Sequence, residues 1–177
     1  MKKIFPVICL CLLLCGCQSR AEESWEQFSR SVRERSDLSL TAEVQVHYSD
    51  RVADFTLRCT EEEEGCTVEV LAPELIRGVR ARMEKNGAGL EYDGIFLDTG
   101  SSGDTALTPM NCLPKLLEAM KLGTVDACWR EEDETVAALT PADGLTVTVW
   151  LRDGVPSYAE LADGENTVVN CTVVEFS

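Results

Sequence analysis

The chain of 177 residues carries one histidine, His47, and only 16 lysines and arginines against 31 aspartates and glutamates. The scarcity of histidine removes the commonest general base and the commonest metal ligand. The scarcity of cations leaves a net charge of −15, which repels nucleic acid and anionic headgroups and excludes both as electrostatic partners. No apolar run is long enough for a membrane span: Ile4 to Leu14 falls well short of the roughly 20 residues that a spanning helix needs. There is no Gly-x-Ser-x-Gly, no phosphate-binding loop and no dinucleotide fingerprint, so the common hydrolase and nucleotide-dependent classes have no motif to stand on. No linker, composition shift or internal repeat divides the chain, which predicts one domain.

What the N-terminus does contain is a short basic start, Met1-Lys2-Lys3, then the apolar run, then Leu14-Cys15-Gly16-Cys17. This ending resembles the lipobox of bacterial lipoproteins, with Cys15 standing where Ala, Ser or Thr is commoner. The resemblance implies a signal peptide over residues 1–16 and a lipidated Cys17 as the first mature residue. A polar tether follows over residues 17–23, and one domain fills residues 24–177. Removing Lys2 and Lys3 takes the net charge to −17. Membrane attachment would then rest on acyl chains and not on a basic patch.

Nine cysteines suggest a disulfide scaffold until they are sorted. Cys9, Cys11 and Cys15 leave with the leader, and Cys17 is the anchor. Cys59, Cys66, Cys112, Cys128 and Cys171 remain, an odd set that leaves at least one thiol without an intrachain partner. Their spacing is not that of a zinc site, so no metal or other cofactor is expected.

Along the chain, Trp25, Phe28 and Val32 recur at helical spacing, with Glu22 and Glu23 before them and Arg33 and Arg35 after, as the helix dipole favours. The period then changes to two. Leu38, Leu40, Ala42, Val44, Val46 and Tyr48 alternate with polar residues, as do Ala53, Phe55, Leu57 and Cys59, and then Cys66, Val68 and Val70. Three meander strands therefore share a dry face. In the simplest hairpin register Cys59 lies opposite Cys66, which allows a cross-strand disulfide; two small core residues are the alternative. Glu61 to Glu64 read as a solvated hairpin tip.

Val79 to Met83, Leu90 to Tyr92 and Ile95 to Leu97 continue the sheet, with Asn86-Gly87 and Asp93-Gly94 as turns. Leu113, Leu116, Leu117 and Met120 mark a second, short helix, with Asn111 as a cap and Gly123 as its stop. Five more strands follow, over 128–131, 136–139, 145–151, 157–161 and 167–176. Eleven strands and two helices predict an α+β fold, a strongly curved antiparallel sheet.

The order of these features resembles the LolA/LolB-like lipoprotein carrier fold, also seen in RseB-type regulators and in small Gram-positive lipoproteins, some linked to sporulation and germination. The residues that carry the likeness are the Val70-Leu71-Ala72-Pro73-Glu74 corner, Leu90-Glu91-Tyr92-Asp93-Gly94 and the Thr108-Pro109 lead-in to the Leu-rich helix. Trp150-Leu151, Pro156, Ala159-Glu160 and a last strand ending at Phe176 complete it. The resemblance implies an open half-barrel whose concave face is covered by the N-terminal helix and the short second helix. It also implies an apolar ligand (a lipid or acyl chain) or an envelope protein as partner. Leu40, Val44, Val46, Phe55, Leu57, Val68, Val79 and Leu117 are the candidate cavity lining, and each would serve equally as ordinary core. A scaffold lipoprotein of sporulation, germination or envelope regulation, with a filled core, is the alternative.

Asp98-Thr99-Gly100 resembles the active-site tripeptide of aspartic proteases. That chemistry needs two carboxylates sharing a proton, and the chain supplies one such tripeptide. An aspartic-type hydrolase through Asp98 is accordingly the remote reading, and the expectation is a non-enzyme.

Overall fold

The computed structural model describes residues 20–84, 87–100, 107–141, 144–164 and 167–177. The expected signal peptide, Cys17, Asn86 and residues 101–106 lie outside them.

Helix α1 covers residues 20–33 and buries Ala21, Trp25, Phe28 and Val32 along one stripe. Residues 20–23, assigned to the tether on sequence, are helical, and Ala21 is fully buried. The first meander is β1 (Ser39–His47), β2 (Val52–Glu62), β3 (Gly65–Ala72), β4 (Arg80–Glu84), β5 (Gly87–Tyr92) and β6 (Ile95–Gly100). After α2 (Pro109–Leu122) comes the second meander, β7 (Thr124–Glu131), β8 (Glu134–Thr140), β9 (Thr146–Arg152), β10 (Val155–Asp163) and β11 (Thr167–Phe176).

All eleven strands join one antiparallel sheet in the order β6-β5-β4-β3-β2-β1-β11-β10-β9-β8-β7. The sheet is therefore open, with β6 and β7 as its free edges, and the two meanders meet where β1 pairs with β11. This is the α+β half-barrel expected from the sequence. Asp93-Gly94 and Asp153-Gly154 make the two tight turns with both residues at positive φ, 50° and 76° in one and 53° and 78° in the other. That is the conformation whose twist suits a two-residue hairpin.

Both helices lie on the face that carries Leu40, Ala42, Val44, Leu57, Val68, Ala137, Val149 and Leu161, and their apolar sides close the core. Trp25 and Phe28 stack at 5.4 Å, and Phe28 meets Phe176 of the last strand at 6.0 Å. α2 begins at Thr108, whose N–H donates to Asn111 Oδ1 at 2.8 Å; Asn111 thus helps cap the helix from its third position rather than from before it. Gly123 stops α2 for a steric reason, since a Cβ there would meet Ala119 O at 2.6 Å.

The two helices are bonded end to end. Ser29 Oγ donates to Met120 O at 3.1 Å and Arg33 Nε to Lys121 O at 2.9 Å, so α1 satisfies carbonyls that the last turn of α2 leaves open.

Candidate interaction surface

The register decides where each singled-out residue sits. Leu40, Val44, Val46, Leu57, Val68 and Leu117 are at most 1% exposed and belong to one continuous core, with Phe55 and Val79 half-buried against it. The concave face beneath α1 and α2 is thus packed with side chains. Two clefts lie on the other side of the sheet. One of about 580 Å³ is lined by Glu43, Gln45, Asp54, Phe55, Tyr158 and Asn170 among others, and one of about 530 Å³ by Trp150, Ser157 and Tyr158. Of the eight candidate lining residues only Val44 and Phe55 touch the first, and none touches the second.

His47 belongs to this outer face. Its Nε2 lies 3.0 Å from Gln45 Oε1 and 3.3 Å from Asn170 Nδ2, and Gln45 Nε2 in turn donates to Asp54 at 2.9 Å. The histidine is therefore held in a polar network, on the face away from Cys59. Asp98 is exposed on the edge strand β6, opposite Gly89. No cluster of three or more metal-ligating side chains occurs among the described residues.

Cys59 and Cys66 do not face one another. The turn is Glu63-Glu64, so Glu61 opposes Cys66 and Cys59 opposes Val68. The two cysteines are diagonal neighbours on the core side, and both are thiols. Cys59 donates its proton to Cys66, which raises the Cys59 thiol well above its ordinary range, with burial adding to the effect, and lowers that of Cys66. The same register brings Glu61 inward. It is no solvated tip: Lys121 Nζ, at the end of α2, sits 2.6 Å from its Oε2.

The core face does not end where the helices end. Val68, Ala81, Leu90 and Leu97 stand in one cross-strand row from β3 to β6, and Tyr92 opposes Ile95 on the same side. Ala81 is buried and Leu90 packs against the core, yet Tyr92, Ile95 and Leu97 are 51%, 72% and 61% exposed. On the outer side of β6 the ring of Phe96, 60% exposed, lies across Gly89, where a Cβ would come within 2.2 Å of it. The apolar trough of the half-barrel is thus filled under the helices and bare along its β5–β6 end. Solitary exposed apolar residues are ordinary; here Tyr92, Ile95 and Leu97 lie together on one side of the sheet at its edge. Ile95-Phe96-Leu97 was visible in the sequence as an unbroken apolar run where a half-buried strand should alternate.

An open eleven-stranded antiparallel half-barrel, with one helix before the first strand and one at the crossover between its halves, is now defined. No protein-family model matches the sequence, and no curated protein is similar to it. Solved structures are similar in fold. A putative outer membrane lipoprotein-sorting protein domain from Vibrio parahaemolyticus is 12% identical, with 89% of this chain and 92% of that one covered and a TM-score of 0.48. A LolA superfamily protein from Nitrosomonas europaea is 11% identical, with coverage of 84% and 92% and a TM-score of 0.45. A chain in the structure of the CwlD amidase from Clostridioides difficile in complex with the GerS lipoprotein is also similar, at 14% identity, coverage of 88% and 91%, and a TM-score of 0.38.

Proposed function

We propose that this LolA-like chain is a non-enzymatic extracytoplasmic lipoprotein, tethered through Cys17, that binds a partner protein along the bare β5–β6 end of its half-barrel. The observation that carries this reading is the exposure of Tyr92, Ile95 and Leu97 on the side of the sheet that is packed solid elsewhere. A carrier of acyl chains needs its apolar volume under the helices, and there the side chains of the core already occupy it. Among the described residues no further strand lies beside the edge strand β6, and an extended segment of another protein can add to such an edge. Burying a large apolar side chain contributes about 1.5–3 kcal/mol, so three of them supply a useful part of a protein–protein affinity. The occupant is a basic protein rather than a membrane surface, because a chain of net charge −15 is repelled by anionic headgroups and attracted to cations.

The test is a photoreactive phenylalanine analogue placed at Leu97 or, as a control, at Val155 of the full chain in its native envelope. The expected result is a discrete protein adduct from position 97 alone, abolished by Ile95→Asp. Adducts confined to lipid, or stoichiometric non-covalent lipid released from the purified chain on organic extraction, would overturn the reading. Palmitate labelling that survives Cys17→Ala would overturn the anchor. Asp98→Asn is expected to leave the adduct and every envelope phenotype unchanged.

A further inference from the structure

Water lies on the outer face of the half-barrel, so polar residues are expected there. It carries an aromatic row instead. Trp129, Val136, Trp150, Tyr158, Thr172 and Glu43 oppose one another pair by pair from β7 to β1. Opposed residues lie on the same side of a sheet, about 5 Å apart. Thr135, the residue before Val136, faces the other way, its hydroxyl 3.4 Å from Ser24 Oγ of α1. Val136 is nonetheless 0% exposed and stands apart from the core beneath the helices, so its neighbours Trp129 and Trp150 cover it from outside. Two of the three tryptophans of the chain thus belong to the outer face. Trp150 is held on two sides: its ring lies 5.1 Å from that of Tyr158, and its Nε1 donates to Glu131 Oε2 at 3.3 Å.

The two clefts of the outer face meet on this row, since Tyr158 and Thr172 line both. Together they form one trough with an aromatic end and an acidic end. No lysine or arginine lines the first cleft, and Arg152, the cation of the second, is paired with Glu134 at 3.0 Å. The carboxylates are spread along the trough rather than gathered. In the row beside the aromatic one, Glu160 opposes Asn170, Asn170 opposes Gln45 and Gln45 opposes Asp54. Glu160 and Asp54 are therefore three strand spacings apart, roughly 14 Å. Glu43 stands next to the Asp54 end, and all three carboxylates are exposed. Between the ends, Asn170 Oδ1 is buried with no hydrogen-bond partner among the described residues. Burial, and then the charge of Glu160, raise the Tyr158 phenol above its ordinary value, which places that carboxylate beside the ring.

We infer that the outer trough binds a linear aliphatic polyamine, an oligocation whose ammonium groups are set several methylenes apart. One terminal ammonium lies between Glu160 and the Tyr158 ring, where charge and the ring quadrupole both attract it. The other lies at Glu43 and Asp54, and an inner ammonium faces Thr172 and Asn170. The methylenes between them cover Tyr158 and Trp150, as the stem of a lysine covers an apolar surface. Other ligand classes fit less well. Carboxylates this far apart do not converge on one metal ion, and no metal-ligating group of three occurs among the described residues. An anion is repelled, and a neutral glycan leaves the carboxylates uncompensated. The inference does not rest on the docking surface proposed for β6.

The experiment titrates spermidine, a triamine, into the full purified chain at low ionic strength, followed by calorimetry and by tryptophan fluorescence. Saturable single-site binding is expected, with an emission change from Trp129 and Trp150, since Trp25 is shielded in the core. Added salt should weaken it. Glu43→Gln/Asp54→Asn/Glu160→Gln should lower the affinity about tenfold or more, whereas Glu62→Gln/Glu63→Gln/Glu64→Gln, the same charge change at the β2–β3 turn, should alter it less than about twofold. Equal weakening by both sets would mean diffuse attraction of cations to an acidic chain and would overturn the inference. So would the absence of saturable binding to the parent chain, amide shifts confined to β6 in nitrogen-15 spectra, or tighter binding of a neutral chito-oligosaccharide than of spermidine. Circular dichroism checks that each variant is folded. Should the trough variant fail to fold, Glu160→Gln alone, expected to weaken binding about two- to fivefold, decides.

Discussion

Lys121 Nζ lies 2.6 Å from Glu61 Oε2, with both side chains under 20% exposed, and the same ammonium donates to Arg35 O at 3.0 Å. One cation thus ties the last turn of α2 to β2 and to the segment that leads from α1 into β1. Replacing it strands a half-buried carboxylate and a carbonyl together. Lys121→Met is expected to lower stability by about 1–2 kcal/mol, measured by urea unfolding. Removing both partners (Lys121→Met with Glu61→Leu) should recover much of the loss, because it is the unpaired carboxylate that costs most.

The packed state of the concave face is testable by making a hole in it. Leu117 is 1% exposed on the underside of α2. Leu117→Ala should cost about 2–4 kcal/mol, transfer and cavity terms together. If the site were instead a ligand-filled trough, the apolar ligand would relax into the space and the loss would be under about 1 kcal/mol. Thermal unfolding of the chain as purified, before any lipid extraction, separates the two.

Two glycines predict opposite outcomes from one substitution. At Gly65 a Cβ would meet Met83 O at 1.9 Å, and that oxygen belongs to the β3–β4 backbone, which cannot move without losing the ladder. At Gly89 the obstacle is the ring of Phe96, the far end of an exposed side chain that can swing away. Gly65→Ala should therefore cost about 2–4 kcal/mol and Gly89→Ala less than about 1, read as the difference in denaturant midpoint.

Burial beneath α1 pushes the Cys128 thiol up from 9.0 to about 11, with the charge of Glu22 adding to it. A thiol whose folded value is raised binds its proton more tightly folded than unfolded. Its contribution to stability is complete below pH 9 and is lost as the pH climbs through 11. Stability measured from pH 8 to 11.5 should fall more steeply for the parent chain than for Cys128→Val.

How far these features could be read in advance depended on how local they are. Each strand announced itself because one face of the sheet is dry, which forces the alternation from Leu38 to Tyr48 and from Ala53 to Cys59. Asp-Gly pairs marked turns by requiring two positive φ values in succession. The register of Cys59 and Cys66 was misread by two residues because Glu61 and Glu62 look like loop; their extended backbone follows from a partner, Lys121, that lies 60 residues downstream. The pairing of β1 with β11 is likewise long-range and leaves no periodic trace. The lining candidates show a further limit: an apolar pattern states which side chains leave water, and it does not state whether they pack on one another or around a ligand. The exposed end of the trough was equally hidden: Ile95-Phe96-Leu97 read as one more strand, although its unbroken apolar run departs from the alternation of a half-buried one.

The position of β11 has a consequence for the order of assembly. It is synthesised after the ten strands that it unites, yet it sits at the middle of the sheet, between β1 and β10. Until it emerges, the two meanders have no common seam, and β1 waits with an open flank after every strand it precedes has been made. A chain built this way is expected to close its sheet only once its eleventh strand is available, so that the two meanders fold as one cooperative unit.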